Sequence, residues 1–477
     1  MPRTPFTDEP ARHYIDGEWR AIGPRAQSFD PATGEPLGEY FDGGLEAANE
    51  AIAAARTAFT SGSWRSDRER RARALWDLSL TLERNLDRIA LAITLENGKP
   101  LAQAQFELSI AAPKLRYFAG LALTDLGTAA ETPSGFSILS REPIGVAGVI
   151  VPWNSPGILS IRSIAPALAA GCTVAVKMPA QTALTNALIA ELFAETTSLP
   201  EGIVNLFTES GDEGAKALVA SPEVGVISYT GSSAVGARIM AAAAPQLKRV
   251  SLELGGKTPM VVFDDADLDV VVPTLTAAVT TFAGQFCMTG SRVIAQASIA
   301  DELRDRLASS LSAVRVGPGI DPETQMGPLI DRASVERVHR MVSVSGGETI
   351  LEGGPIEGPG AFYRPTLVGI TDLGSTLVQD EVFGPVATFE TFDGEDEAVF
   401  RANATDYGLS ASVWTRDGGR SLRVSQAIEA GTVWTNAWAQ IFDQFEEGGY
   451  KKSGLGRLNG PGGLAEFQEV KHIYRSV

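Results

Sequence analysis

The sequence predicts an α/β protein built on parallel sheets with helices packed on both faces. Three observations carry that prediction. Between residues 145 and 229, short apolar runs alternate with helical periodicities in a repeated strand–helix rhythm. A second block with the same alternation begins near Val261-Val-Phe263 and runs to about residue 440. The 477 residues, 44% hydrophobic and 21% charged, have the makeup of an ordinary globular chain with material for two or three domains.

Taken in order, Tyr14-Ile-Asp-Gly-Glu-Trp19 reads as strand, and Phe29-Asp-Pro-Ala-Thr-Gly34 carries turn chemistry. Residues 45–61 and 67–97 repeat apolar positions at helical spacing, ending near Asn97-Gly98, and 101–120 predicts another helix. Residues 136–141 and 145–151 read as strands. Helices at 160–170, 185–197 and 214–220 then each precede a strand, at 173–177, 204–207 and 224–229. The C-terminal Phe467-Gln-Glu-Val-Lys-His-Ile-Tyr474 reads as a strand.

Composition excludes several function classes. A formal net charge of −18 opposes nucleic-acid or anionic-membrane partners. Two cysteines cannot form a disulfide framework and imply a reducing compartment. The stretch Met1-Pro-Arg-Thr-Pro-Phe-Thr-Asp-Glu-Pro10 lacks the apolar core of a signal peptide, and the most apolar run, 144–153, is too short to span a bilayer. Three scattered histidines, His13, His339 and His472, make a zinc site unexpected. The expectation is a soluble cytoplasmic protein without a metal.

Several stations could carry chemistry. Phe282-Ala-Gly-Gln-Phe-Cys287 places a thiol in a glycine-containing turn, where it could serve as a nucleophile or equally as a buried packing residue. Tyr229-Thr-Gly-Ser-Ser-Ala-Val-Gly236 follows a strand and opens a helix, so Gly231 and Ser232 could cradle a phosphate or simply cap the helix. It is not the G-x-G-x-x-G fingerprint. Glu253-Leu-Gly-Gly-Lys-Thr258 is not a phosphate loop, because Ser251 stands where glycine is required. It leaves a carboxylate followed by two glycines, a general base or an ion-pair partner. Asn154 and Lys177 close strands at the ends where open α/β sheets bind ligands.

Together, Pro152-Trp-Asn154, Lys177, Thr230-Gly-Ser232, Glu253-Leu-Gly-Gly-Lys257, Gly284-Gln-Phe-Cys287, Glu381-Val-Phe-Gly-Pro385 and Gly448-Gly-Tyr-Lys-Lys-Ser-Gly454 resemble, in order and over nearly the full length, the aldehyde dehydrogenase superfamily. The resemblance implies a Rossmann-type dinucleotide-binding domain (1–120 and 144–255), an α/β catalytic domain (256–450) and a small β oligomerisation region (121–143 and 451–477) that makes a homodimer or homotetramer. It implies that Cys287 attacks an aldehyde, Asn154 holds the oxyanion and Glu253 activates water against the thioester. NAD or NADP would lie against Trp153, Lys177, Ala180, Gly231, Ser232, Gly255, Glu381 and Phe383. Glu253 favours hydrolysis over the coenzyme A-acylating alternative, and the intact Cys287, Glu253 and Asn154 oppose a non-catalytic cofactor-binding relative.

Three departures bear on specificity. Ala180 stands where many NAD-preferring members carry Glu, which removes repulsion against a 2′-phosphate and predicts that NADP is accepted. Ser155 and Arg162 replace aromatic residues common in the substrate tunnel. Arg162 resembles the carboxylate contact of succinate-semialdehyde dehydrogenases, although Thr281 stands at that subgroup's second Arg position; an ordinary ion pair is the alternative. Glu446-Glu447 replaces the usual Pro-Phe and points instead toward polar or cationic substrates. Phe286, Trp438, Ile441 and Phe445 are expected to supply the apolar wall.

Overall fold

The computed structural model describes residues 5–124 and 127–476; residues 1–4 of the expected N-terminal stretch, 125 and 126 of the expected interface region, and 477 lie outside the described residues. Five parallel strands form the centre of the first sheet, in the spatial order Val204–Glu209, Thr173–Pro179, Val146–Ile150, Val224–Thr230 and Arg249–Glu253. Val146–Ile150 and Val204–Glu209 are buried at every residue; the first reads as a continuous apolar run, and in the second the buried Asn205 amide donates to the Val174 and Gly202 carbonyls. Chain order reverses between Val146–Ile150 and Val224–Thr230, opening a crevice at their carboxyl ends. The expected Tyr14–Trp19 strand is a hairpin, His13–Ile15 and Glu18–Arg20, added antiparallel at one edge.

The helix Arg68–Asn97 starts with Asp67 accepting from the Arg70 N–H and stops at Gly98 in the left-handed region, φ 89°. The helix expected over 101–120 is instead two, Leu101–Ser109 and Ala111–Leu123, broken at Ile110. The helix expected from 160 begins earlier, with Pro156 in its first turn, and extends to Ala170. That shift places Asn154 and Ser155 just ahead of its N-terminus and Arg162 inside it.

The second sheet runs Glu348–Leu351, Thr366–Gly369, Val386–Phe392, Arg292–Gln296, Pro259–Val262, Ser410–Trp414 and Thr432–Thr435, parallel except for the first strand. Inside it, Arg292 is fully buried and makes two 2.8 Å bonds to the Glu390 carboxylate. A third, antiparallel sheet joins Thr128–Thr132, Gly135–Pro143 and Gln468–Ser476. The segment expected as one oligomerisation unit, 451–477, divides. Gly454–Leu455 pairs antiparallel with Arg249–Glu253 in the first sheet, and only Gln468–Ser476 joins the small sheet. No described helix is long and apolar enough to cross a membrane.

Candidate active site

The turn that presents Cys287 is unusual backbone. After the helix Leu268–Thr280, Phe282, Ala283 and Gly284 adopt positive φ of 52°, 54° and 70° in succession. At Gly284 only glycine fits, since a Cβ would lie 2.2 Å from the Gly384 carbonyl oxygen. Such stored strain is characteristic of functional sites. Cys287 emerges on the wall of a cavity of about 720 Å³. No helix begins at Cys287, because the chain continues into the strand Arg292–Gln296, so no helix dipole lowers the thiol. Burial pushes its pKa up, Arg162 pulls it down, and Glu447, Glu381 and Glu253 push it up. The thiol needs a base.

Asn154 is fixed at both ends. Its side-chain amide donates to the Gln285 carbonyl at 3.1 Å, and its own carbonyl accepts from Lys99 Nζ at 2.7 Å. Lys99 also donates to Glu107 at 2.6 Å and to Ser155 Oγ at 3.3 Å, and its ammonium lies 3.9 Å from the centre of the Phe282 ring. Glu107 in turn accepts from the N–H groups of Gly157 and Ile158, at the start of the helix Pro156–Ala170. Sequence reasoning missed this pair. Lys99 stands just ahead of the helix Leu101–Ser109 and Glu107 lies on that helix's buried side, which is how the two meet.

Glu253 ends its strand as expected, buried, with Oε1 lacking a hydrogen-bond partner. Burial raises its pKa; Arg162 opposes that shift and Glu447 adds to it. The two glycines that follow make room for different neighbours. A Cβ at Gly256 would sit 2.3 Å from the Cys287 carbonyl oxygen, and one at Gly255 would sit 2.6 Å from Glu381 Oε2. The loop leaving Glu253 therefore runs directly against the nucleophile's backbone.

The cofactor candidates converge on the sheet crevice. Ser232 caps the helix Ser233–Ala243 by accepting from the Val235 N–H, and Gly231 has no room for a Cβ beside the Tyr229 ring; the remaining N–H groups of the first turn are suited to a pyrophosphate. Trp153 meets Phe383 edge to face at 5.6 Å, and its carbonyl accepts from Asn97. Phe383 has φ 52°, and Arg337 holds its loop by donating to the carbonyls of Val382 and Phe383. Glu381 accepts from the Gly256 N–H at 3.1 Å; burial pushes it up to about 7 despite Lys257 and Arg337. Lys257, also missed, is itself pushed down to about 7 by burial. Ala180 opens a short 3₁₀ turn beside Lys177. Fields from Glu209, Asp42 and Asp212 reach Lys177, so the region is more acidic than Ala180 alone suggested.

The family model for the aldehyde dehydrogenase family matches residues 19–473. The chain belongs to the aldehyde dehydrogenase family. It is 39% identical over 476 residues to betaine aldehyde dehydrogenase from Bacillus subtilis (strain 168), covering 97% of both chains. It is 38% identical over 433 residues to succinate-semialdehyde dehydrogenase from Paenarthrobacter nicotinovorans, covering 90% of this chain and 95% of the relative. A crystal structure of betaine aldehyde dehydrogenase from Staphylococcus aureus in complex with NAD+ superposes with a TM-score of 0.95 at 35% identity, over 98% of this chain and 95% of that one. The chain is thus an NAD(P)-dependent aldehyde dehydrogenase with a cysteine nucleophile.

The substrate walls of this aldehyde dehydrogenase correct three expectations. Arg162 lines the cavity but is not free for a substrate carboxylate: it donates to Glu447 Oε1 at 3.2 Å and to Thr230 at 3.0 Å. The Glu446-Glu447 pair is not a free acidic mouth either. Glu447 faces inward to Arg162 and Asn459, and Glu446 turns away to accept from the Gly462 N–H at 2.9 Å. Phe445 is exposed and off the cavity; Phe442, whose ring it meets edge to face, lines it instead. Ser155, Thr281, Phe286, Trp438 and Ile441 line the cavity as expected.

Proposed function

We propose that Cys287, Asn154 and Glu253 divide the oxidation of an aldehyde to its acid among nucleophile, oxyanion donor and base. Glu253 accepts the thiol proton, and the thiolate adds to the aldehyde carbon to give a thiohemiacetal whose oxyanion is held by the Asn154 amide and the Cys287 N–H. A nicotinamide cofactor held beside Trp153, Glu381 and Phe383 would supply the hydride acceptor for this step. Once that first proton has passed to solvent, Glu253 takes a proton from water as the hydroxyl attacks the Cys287 thioester, and gives it to the departing sulfur, so that the acid and the thiol are released. The observation that supports this most directly is the unpartnered, buried Oε1 of Glu253, on a loop packed against the backbone of Cys287. Replacing Glu253 by Gln is expected to lower steady-state kcat about 10²–10⁴-fold, with acyl-enzyme accumulating on Cys287 in intact-mass measurements. Wild-type turnover in that variant, or an acyl-coenzyme A product from the unaltered enzyme, would overturn the assignment.

NADP is accepted alongside NAD in this reading, supported by Ala180, while the acids around Lys177 favour NAD. The two free thiols, Cys172 and Cys287, support a reducing, cytoplasmic setting. Assembly into a dimer or tetramer is supported by the exposed Phe136, Ile138, Ile473 and Tyr474 on the small sheet, which has Gln468–Ser476 as an edge strand. A monomeric mass by light scattering would remove it.

A further inference from the structure

The lining of the cavity in front of Cys287 has two unlike parts. One carries charges, and each is already answered. Arg162 is held by Glu447 and Thr230, the other Glu447 oxygen accepts from Asn459 Nδ2 at 3.0 Å, and Asn459 Oδ1 accepts from Lys114 Nζ at 2.6 Å. Lys114 ends at Asp443, 2.5 Å away. Nearer the floor, Glu107 is matched by Lys99. Lys114 and Arg162 with Lys99, set against Glu107, Asp443 and Glu447, leave no net formal charge. Another part of the lining is aromatic: Phe282, Phe286 and Trp438 meet edge to face, at ring-centre distances of 5.7 and 6.0 Å.

From this arrangement we propose that the enzyme selects an uncharged aldehyde with a flat apolar body, of benzenoid size or larger, over aldehydes carrying a carboxylate or a quaternary ammonium. The proposal rests on the aldehyde dehydrogenase reading and gives it a substrate class. A carboxylate would find both cations occupied by preorganised partners, and would have to displace the buried Glu447 from Arg162 or compete with Asp443 and Asn459 for Lys114. A quaternary ammonium is held best where an aromatic face is joined by an unpaired acid. Here the Lys99 ammonium already lies over Phe282, and neither Asp443 nor Glu447 is free. A flat apolar body can lie against these aromatic residues without breaking an ion pair. About 720 Å³ is far more than a short aliphatic aldehyde fills, so such substrates gain little binding energy.

The test is kcat/KM, with NAD saturating, for phenylacetaldehyde, succinate semialdehyde and betaine aldehyde. Phenylacetaldehyde is expected to exceed both charged substrates by about 100-fold or more. Equal or higher values for either charged substrate would overturn the proposal while leaving the dehydrogenase reading intact. No NADH from any of the three would overturn that reading together with it. Two variants examine the cause. Glu447→Gln releases Arg162, and Asp443→Asn, at the more open end, releases Lys114; each is expected to raise succinate semialdehyde relative to phenylacetaldehyde about 10-fold or more. An unchanged ratio in Asp443→Asn, which lies farther from the thiol and keeps Lys114 on Asn459, would show that charge pairing does not set the selectivity.

Discussion

Two ion pairs flank the catalytic thiol, and they are built differently. Lys99–Glu107 is closed: its side chains are 1% and 0% exposed, the ammonium has three oxygen partners and one ring, and the carboxylate also holds two backbone N–H groups. Arg162–Glu447 is nearly as buried but less complete, with the Arg162 Nε lacking a hydrogen-bond partner and the guanidinium reaching electrostatically to both Cys287 and Glu253. The first pair holds geometry; the second sets a field. Burial alone therefore does not define what an ion pair does. Its remaining partners do, and here one pair ends on Asn154, the proposed oxyanion donor, and the other beside Cys287 and the proposed base Glu253.

The largest expected effect comes from opening the closed pair. Glu107→Gln leaves the Lys99 ammonium buried without its counter-charge, a situation that costs about 3–5 kcal/mol. Urea unfolding should show that loss, and kcat should fall with it because Lys99 anchors Asn154. A loss below about 1 kcal/mol would mean that Lys99 is satisfied by Asn154 and Ser155 alone, and that the two pairs do not differ in kind.

A smaller but more specific effect is expected from the second pair, in the pH dependence. Glu253 works as a base only when ionised, and burial raises its pKa, so kcat/KM should climb as pH rises through the neutral-to-alkaline range. Arg162 stabilises the ionised form and Glu447 opposes it. Arg162→Leu should therefore move the rising limb to higher pH and Glu447→Gln should move it to lower pH, each by about one unit or less. Glu107→Gln should leave the limb in place. A limb that shifts equally in all three variants would erase the distinction between geometry and field.

The floor of the site was legible because its chemistry is local. Cys287, Asn154, Glu253 and the Gly231-Ser232 turn each stand at a strand end or turn that the apolar rhythm already marks. The ion pairs were not legible. Arg162 and Glu447 are 285 positions apart, and neither the helix carrying one nor the loop carrying the other signals the partner. That is why Arg162 suggested an anionic substrate and Glu446-Glu447 a cationic one; paired, Arg162 and Glu447 cancel. Lys99 and Glu107 are only eight positions apart, but a lysine and a glutamate around the start of a helix read in sequence as ordinary exposed residues. The bound 451–477, taken from the resemblance, groups strands that pair in different sheets, Gly454–Leu455 with Arg249–Glu253 and Gln468–Ser476 with Gly135–Pro143.

The smallest expected effect lies at the outer end of the polar wall. Asp443 is 23% exposed where it meets Lys114, so water already shares the interaction and screens it. Lys114 also keeps Asn459 Oδ1 at 2.6 Å if Asp443 loses its charge. Asp443→Asn should therefore cost about 0–1 kcal/mol in urea unfolding, several-fold less than Glu107→Gln, although both remove one acid from a lysine pair on the same cavity. Ranked by depth, the loss should be greatest at Glu107 and least at Asp443. If Asp443→Asn destabilised as much as Glu107→Gln, the mouth of the cavity would have to be closed to water, and desolvation rather than partner count would explain all three pairs.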